Sequence, residues 1–330
     1  MHRVSRGAVR ESQSVLRRVV RGVTQCAIGL AMLVGCAVNP VTGKTELALT
    51  TRAQEVAIGR DNYLPSQQMQ GGAYTVDAGL TSYVQSVGNR VAAQSGVKLP
   101  YEFVVLNNSV PNAWALPGGK IAINRGLLVE MKSEAELAAV LGHEVAHAAA
   151  SHGARARDRG MLAQGALVAA AVGLRNSKYS RAIVGGAQIG AQYITQRSSR
   201  GAELEADDYG TRFLAAAGYD PSAAVSLQET FVRLSEGRRQ DWLSGLFASH
   251  PPSGERVARN REHVARIRSE GVKADRIGAE EYRDALADLR AAMPAYQLQD
   301  EARQALAEGR AEEAATKVSR ALEILSLIHI

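Results

Sequence analysis

Cysteine is nearly absent from this sequence. The 330 residues include two, Cys26 and Cys36, too few for the disulfide framework that stabilises small secreted scaffolds. Aromatic residues are scarce as well, at 5%, whereas Ala, Leu, Val and Arg abound, a balance that favours a mostly helical protein. The N-terminal apolar run, Cys26–Val34, is short, and a membrane-spanning helix needs about 20 such residues. A general excess of positive charge is also missing. The formal net charge is +6, but residues 1–21 carry six arginines against one glutamate, which leaves 33 Lys and Arg against 32 Asp and Glu. The basic balance belongs to the leader and makes no case for nucleic acid as a partner.

That leader has the parts of a secretory signal: a positive start, a short apolar stretch and small residues before a cleavage point. It ends Leu33-Val34-Gly35-Cys36, which resembles the lipobox of bacterial lipoproteins. The resemblance implies cleavage before Cys36 and acylation of that cysteine, and several acyl chains anchor stably where one does not. Ala37, in place of an aspartate, implies the outer membrane by the same likeness.

What the chain does have is His143-Glu144-Val145-Ala146-His147. This is an H-E-x-x-H, and its spacing carries the chemistry. Residues i and i+4 share a helix face, so both imidazoles can reach one metal ion. The glutamate can serve as base for a metal-activated water. The helix itself is well specified. Ser133-Glu134-Ala135-Glu136 reads as an S-x-x-E capping box. Leu137, Val140, Leu141, Val145 and Ala148 follow at helical spacing, and no proline interrupts 132–150.

Two histidines and a water leave a zinc ion one protein ligand short. A metzincin would supply a third histidine downstream with a glycine between, but those positions hold Gly153 and Ala150. His152 projects about 140° around a continuous helix from His147, which turns it away from the ion and leaves it either a surface histidine or one that supports a ligand without itself binding metal. Between Ala148 and Ala202 the acidic residue is Asp158, and the next is Glu203, in Glu203-Leu204-Glu205-Ala206-Asp207. Glu203 and Asp207 share a helix face. The expected assignment is therefore His143, His147 and Glu203 on one Zn²⁺ per chain. Glu144 is then the base, and Asp207 accepts the spare N–H of a ligand histidine.

With these residues in view, the chain resembles the HtpX-type, CAAX-prenyl-protease-like zinc metalloproteases, a gluzincin family with H-E-x-x-H followed by E-x-x-x-D. The likeness is greatest to its periplasmic, lipoprotein branch of the BepA and LoiP type. Asn112-Ala113-Trp114-Ala115-Leu116-Pro117-Gly118-Gly119 is similar to the family's N-A-x-A-x-P-G-G segment. Ser199-Arg200 precedes Glu203 as in the family, and Ser249-His250-Pro251-Pro252 with Arg256 is similar to its T-H-P-x-x-x-x-R. Asn39-Pro40-Val41-Thr42-Gly43 is similar to its mature N-terminus. The resemblance runs over about residues 36 to 266. It implies that His250 can approach the zinc and displace the water, holding the enzyme off. Alternatively His250 or Arg256 stabilises an oxyanion beside the metal, or the two are a capping histidine and a salt-bridged arginine.

Around the zinc motif, residues 52–60 and 77–95 read as helices, the second capped by Asp77 with Leu80, Val84, Val87 and Val91 inward. Tyr101–Leu106, Asn112–Ala115 and Lys120–Asn124 read as strands, the last two joined at Pro117-Gly118-Gly119. Helices are expected from Asp220-Pro221 and from Ser253. The predicted fold is α+β, mostly helical: a zincin-type domain with a small sheet beside the active-site helix. Asn112, Ala113, Trp114 and Ala115 are the candidate edge that holds substrate as an added strand, with a purely structural hairpin as the alternative. Residues 160–195 are apolar and rich in Ala and Gly, read as a lid over the site rather than a membrane-inserting loop. Residues 298–325 read as two amphipathic helices joined at Glu308-Gly309-Arg310, a tetratricopeptide-like hairpin, with an ill-fitting apolar tail at Leu325–Ile330.

The expected organisation is a lipoprotein signal (1–35), a lipid-anchored linker (36–51), a zinc metallopeptidase domain (52–270) and a C-terminal helical region (271–330). The expected function is a zinc endopeptidase of the periplasm, tethered to the outer membrane. The resemblance implies unfolded or misassembled envelope proteins as substrates and the outer-membrane assembly machinery as a partner. The alternative is a chaperone-like assembly factor whose zinc site is self-inhibited.

Overall fold

The structure, a computed structural model, describes residues 35–173, 200–237 and 250–328. Residues 1–34 of the expected lipoprotein signal and the part of the expected lid beyond residue 173 lie outside the described residues.

The chain opens with a small antiparallel pair, β1 (Cys36–Val38) and β2 (Thr45–Leu47). Helix α1 (Arg52–Met69) starts at Thr51, whose side chain forms a capping box with Gln54. It runs on past Pro65, well beyond the expected end at residue 60. Tertiary contact sustains it: Tyr63 is buried and its hydroxyl donates to Ile121 O at 2.7 Å. Helix α2 (Ala78–Ala92) begins as expected, with Asp77 accepting from Leu80 N at 2.9 Å. Its Leu80, Val84, Val87 and Val91 are all inside.

Three strands follow: β3 (Glu102–Leu106), β4 (Ala113–Leu116) and β5 (Lys120–Asn124), in the spatial order β3-β5-β4. The β4–β5 pair is the antiparallel hairpin predicted across Pro117-Gly118-Gly119, while β3 lies parallel to β5. Gly118 needs to be glycine on two counts, since its φ is +80° and a Cβ would sit 2.6 Å from Val56 Cα. The outer side of β3 is covered by residues 72–74, with Tyr74 N donating to Val105 O at 2.7 Å and Asn107 N to Gly72 O at 2.9 Å. Among the described residues β4 is left as the open edge.

After a short turn of helix, α3 (Arg125–Leu128), comes the motif helix α4 (Glu134–Ala149). Ser133 accepts from Glu136 N at 3.2 Å, but the Glu136 carboxylate reaches back to Lys132 N instead of closing the box on Ser133. The other early N–H groups are met from afar, Glu134 N by Gly278 O and Ala135 N by Ile277 O. Every residue of α4 is buried except His143, which is partly open. A helix buried on every side in this way is the centre of a layered core. Its two leucines, Leu137 and Leu141, are fully enclosed, and each contributes on the order of 1.5–3 kcal/mol by burial.

Helix α5 (His152–Gly173) follows almost at once, then α6 (Arg200–Ala216), α7 (Ala223–Gly237) and α8 (Gly254–Ser269). Helices α4 and α6 meet backbone to backbone at Gly142 and Gly210. A Cβ on Gly210 would lie 2.9 Å from His143 N, and one on Gly142 would lie 2.9 Å from Gly210 O. That contact brings Glu203 and Asp207 within reach of the histidines.

The C-terminal elements are α9 (Ala279–Ala285), α10 (Ala287–Ala307) and α11 (Ala311–Ile328). The break at 308–310 is as predicted, but α10 starts 11 residues before the expected 298 and passes through Pro294. Its first half joins the main core through Leu289, Ala292 and Tyr296, with Tyr282 and Leu286 before it. Arg276 adds a polar tie, sharing the buried Glu134 carboxylate with Arg90, Tyr83 and Tyr219. The apolar core around α4 therefore continues past residue 270. Only the far end of the α10–α11 hairpin has its own small cluster, Ala302, Ala305 and Ala314. The whole is a mostly helical α+β fold of zincin type. Among the described residues no helix is long and apolar enough to cross a membrane.

Candidate metal centre

Four donor groups converge from three places in the chain. Helix α4 carries His143 and His147, α6 carries Glu203, and the segment before α8 carries His250. One ligand atom from each lies within 4.8 Å of all the others. The individual separations are close to uniform. His143 Nε2 is 3.0 Å from His147 Nε2, 3.4 Å from Glu203 Oε2 and 3.3 Å from His250 Nδ1. His147 Nε2 is 3.3 Å from Glu203 Oε1, and His250 Nδ1 is 2.9 Å from Glu203 Oε2. Ligands about 2.0–2.2 Å from a tetrahedral ion are spaced by roughly 3.3 Å, so the donor set fits such an ion. Buried Glu203 Oε1 has no hydrogen-bond partner, as an oxygen reserved for a cation would not.

Charge is arranged to match. Burial acts to raise the Glu203 pKa, but contact with His143, His147 and His250 outweighs it and holds the carboxylate ionised, well below its usual range. Burial pushes the His147 pKa down to about 3, keeping that ring neutral and able to ligate. His143 goes the other way: burial lowers it, yet Asp207 and Glu203 together raise it to about 10 in the metal-free protein. Asp207 is itself held down at about 2, against burial, by Arg256 and His143.

The predicted partners are brought together. Asp207 Oδ1 lies 3.0 Å from His143 Nδ1, though off the line of a straight N–H···O bond. Glu144 is 2% exposed, and its Oε1 lies 3.6 Å from His250 Nε2. Arg256, in the first turn of α8 below the Ser253 cap, forks onto Asp207 with Nε and Nη2 each at 2.7 Å. Its remaining nitrogen, Nη1, is 3.3 Å from both Glu203 Oε2 and Pro251 O. Trp114, Ala115, Leu116 and Pro117 line a cleft of about 150 Å³ together with Glu144, His147, Ser151 and His250. Ala113 opens onto a second, tighter cavity of about 30 Å³ shared with His143, Glu144, Leu227 and Phe231. Asn112, next in the chain, accepts from Asn124 N at 2.8 Å through its carbonyl. Cys36 stands exposed at the start of β1.

His152 sits against a candidate ligand histidine, one of its two expected settings, but not by the geometry a continuous helix would give. The helical projection turned it away from the site, but α4 ends at Ala149 and Ser151 takes a left-handed turn with φ +58°. His152 therefore opens a new helix and swings back under the first. Its Nδ1 is 2.9 Å from His147 Nδ1 and its Nε2 is 3.0 Å from Glu205 Oε1. The turn is held from α1: Arg52 donates to Ser151 Oγ at 2.8 Å and to the Ala148 and Ala149 carbonyls, while Ser151 donates to Glu55 at 3.0 Å. Asp158 is spent elsewhere, accepting from Leu49 N, Thr50 N and Thr50 Oγ1. Sequence reasoning missed Arg52, Glu55 and Glu205. Their only signal, a second glutamate in Glu203-Leu204-Glu205, has no meaning until His152 is placed.

Residues 79–264 match the family described as Peptidase family M48. The chain is 31% identical over 231 residues to the beta-barrel assembly-enhancing protease of Yersinia pestis, covering 67% of this chain and 46% of that protein. It is 33% identical over 191 residues to the metalloprotease YcaL of Escherichia coli (strain K12), covering 56% and 69%. It is 36% identical over 186 residues to the mitochondrial metalloendopeptidase OMA1 of Schizosaccharomyces pombe, covering 55% and 52%. The chain spans about half the length of the beta-barrel assembly-enhancing proteases it matches.

Proposed function

The chain belongs to peptidase family M48, and from that premise we propose that it is a zinc-dependent endopeptidase of the bacterial envelope. The observation that carries the reading is the meeting of His143, His147 and Glu203 at near-tetrahedral spacing with Glu144 beside them. In this reading those three residues hold the metal. Bound zinc would polarise the scissile carbonyl and acidify the attacking water. Glu144 takes the proton from that water and delivers it to the leaving amine. Asp207 orients His143, and Arg256 holds Asp207 and Glu203 in place. Because the nitrogens of Arg256 are turned to those carboxylates and to Pro251 O, we assign it this bracing role in preference to the oxyanion role considered from sequence.

The substrate lies as an added strand on the open edge of β4, at Ala113, Trp114 and Ala115, with Asn112 at its start. Main-chain pairing gives a grip largely independent of sequence, which suits unfolded or misassembled envelope proteins. The name of the beta-barrel assembly-enhancing relatives supports outer-membrane proteins among them. Acylation of Cys36 would tether the enzyme to the outer membrane from the periplasmic side.

A second reading is favoured by one specific observation. His250 Nδ1 is itself a fourth donor to the cluster, the position a reactive water needs. In this arrangement the site is shut, and the protein acts chiefly as an assembly factor until His250 withdraws.

Casein degradation by the zinc-loaded protein tests both readings. Cleavage by the wild type, lost in Glu144→Gln and on chelation, is the result the protease reading requires. Cleavage that appears only in His250→Ala favours the shut site. No cleavage by either protein would sink the peptidase assignment.

A further inference from the structure

We propose that His152, backed by Glu205, is a positioning residue for the metal centre: it fixes the tautomer and ring plane of His147 and so tightens metal binding. This rests on the metalloprotease reading above. His147 points Nε2 at the other donors, 3.0 Å from His143 Nε2 and 3.3 Å from Glu203 Oε1. A ligating nitrogen must carry no proton, so the proton of neutral His147 belongs on Nδ1. That atom faces His152 Nδ1 at 2.9 Å, which must therefore accept. His152 then carries its own proton on Nε2, and Nε2 faces Glu205 Oε1 at 3.0 Å. Each bond dictates the next. The order is His147 Nδ1–H to His152 Nδ1, then His152 Nε2–H to Glu205, and no other assignment satisfies both contacts with His147 left able to ligate.

The arrangement is enclosed and built. The His152 side chain is 9% exposed and that of Glu205 16%. The two rings meet edge to face, with centroids 4.9 Å apart and planes at 76°. His152 can occupy this place only because Ser151 turns at φ +58° and Arg52 and Glu55 grip that turn. Ligand histidines usually pass their second N–H to a carboxylate, a carbonyl or water. Here the acceptor is another imidazole, which itself leans on a carboxylate.

The test is zinc affinity of the full chain, measured by competition with a chromogenic chelator, together with the visible spectrum of the cobalt-substituted protein. His152→Phe and Glu205→Leu should each weaken zinc binding by about 10–100-fold and alter the cobalt bands. His152→Gln, which restores an acceptor beside His147 Nδ1, should recover most of the affinity. A purely structural role would lower thermal stability without changing the cobalt spectrum. Wild-type affinity and spectrum in both His152→Phe and Glu205→Leu overturn the proposal. If His152→Phe does not fold, Glu205→Leu decides alone, since it removes only the outer acceptor at the rim of the cluster. A wild type that binds no zinc would remove the metalloprotease reading as well, whereas normal wild-type binding with unaffected variants removes only this inference.

Discussion

The two histidines of α4 are alike in sequence and unlike in support. His143 leans on Asp207, a carboxylate sealed among Arg256, Glu203 and the α4–α6 contact. His147 leans on His152, and behind it stand Glu205 at the rim and Lys44 at 3.8 Å, 70% exposed. The first support is short, ionic and closed; the second is a relay that runs outward toward solvent. Closed support makes His143 depend on the packing of three helices. Outward support makes His147 depend on a turn held by α1 and therefore on the N-terminal part of the chain. One metal ion would thus be held between a rigid half and a half that can be adjusted from outside.

The comparison can be broken at its rigid side first. Asp207→Ala leaves the buried Arg256 without its main partner and should cost about 3–5 kcal/mol in the metal-free protein. Glu205→Gln on the other side should cost under about 1 kcal/mol, because that carboxylate is nearer water. Paired urea-unfolding curves measure both, and equal losses would erase the distinction. Next in size is Gly210→Ala, which pushes a Cβ to 2.9 Å from His143 N. Overpacking of this kind costs about 1–3 kcal/mol, and zinc affinity should fall with it as Glu203 is carried away; an unchanged affinity would mean that the helix spacing does not set the site.

On the relay side, Arg52→Ala removes the donor to Ser151 and to the Ala148 and Ala149 carbonyls. It should cost about 1–2 kcal/mol and weaken zinc binding less than His152→Phe does. Retention of full affinity in Arg52→Ala would show the turn to be self-sufficient. The rigid side also carries an effect of pH. The folded pKa of Asp207 lies at about 2, below its usual 3.8. Its stabilisation is therefore complete above the higher value and is lost as pH falls through the lower. The stability gap between metal-free wild type and Asp207→Asn should be widest near neutrality and should narrow as pH drops from about 4 to about 2. A gap that stays constant with pH would place the Asp207 contribution outside its charge.

Much of the rigid half was legible in the sequence. Two periodicities suffice for it: i, i+4 histidines on a capped helix, and i, i+4 acids on a later one. The relay half was not, and the reason is physical. His152 was placed by projecting a helix that does not continue, and the end of that helix is enforced by Arg52, which lies 99 residues from Ser151 in the chain. No local pattern carries such a contact. Tertiary packing also carries two helices further than their local sequence suggests. Helix α1 crosses Pro65 and α10 crosses Pro294 because buried tyrosines, Tyr63 and Tyr296, hold those helices to the core. The β4–β5 hairpin was read from its Pro-Gly-Gly turn, whereas the parallel placement of β3 depends on a crossover that strand composition does not encode.

The pinning of Leu49 and Thr50 by Asp158 bears on how far the cleft can travel. Fifteen residues separate Cys36 from Arg52, and a free strand of that length could stretch to roughly 50 Å. Here it is folded on itself as β1 and β2, and its last residues are fastened to α5. Were Cys36 acylated as proposed, its anchor would be joined to the proposed catalytic face by a stub rather than a leash. The fold would then set the height of the β4 edge above that anchor, and the proposed substrates would have to reach it there.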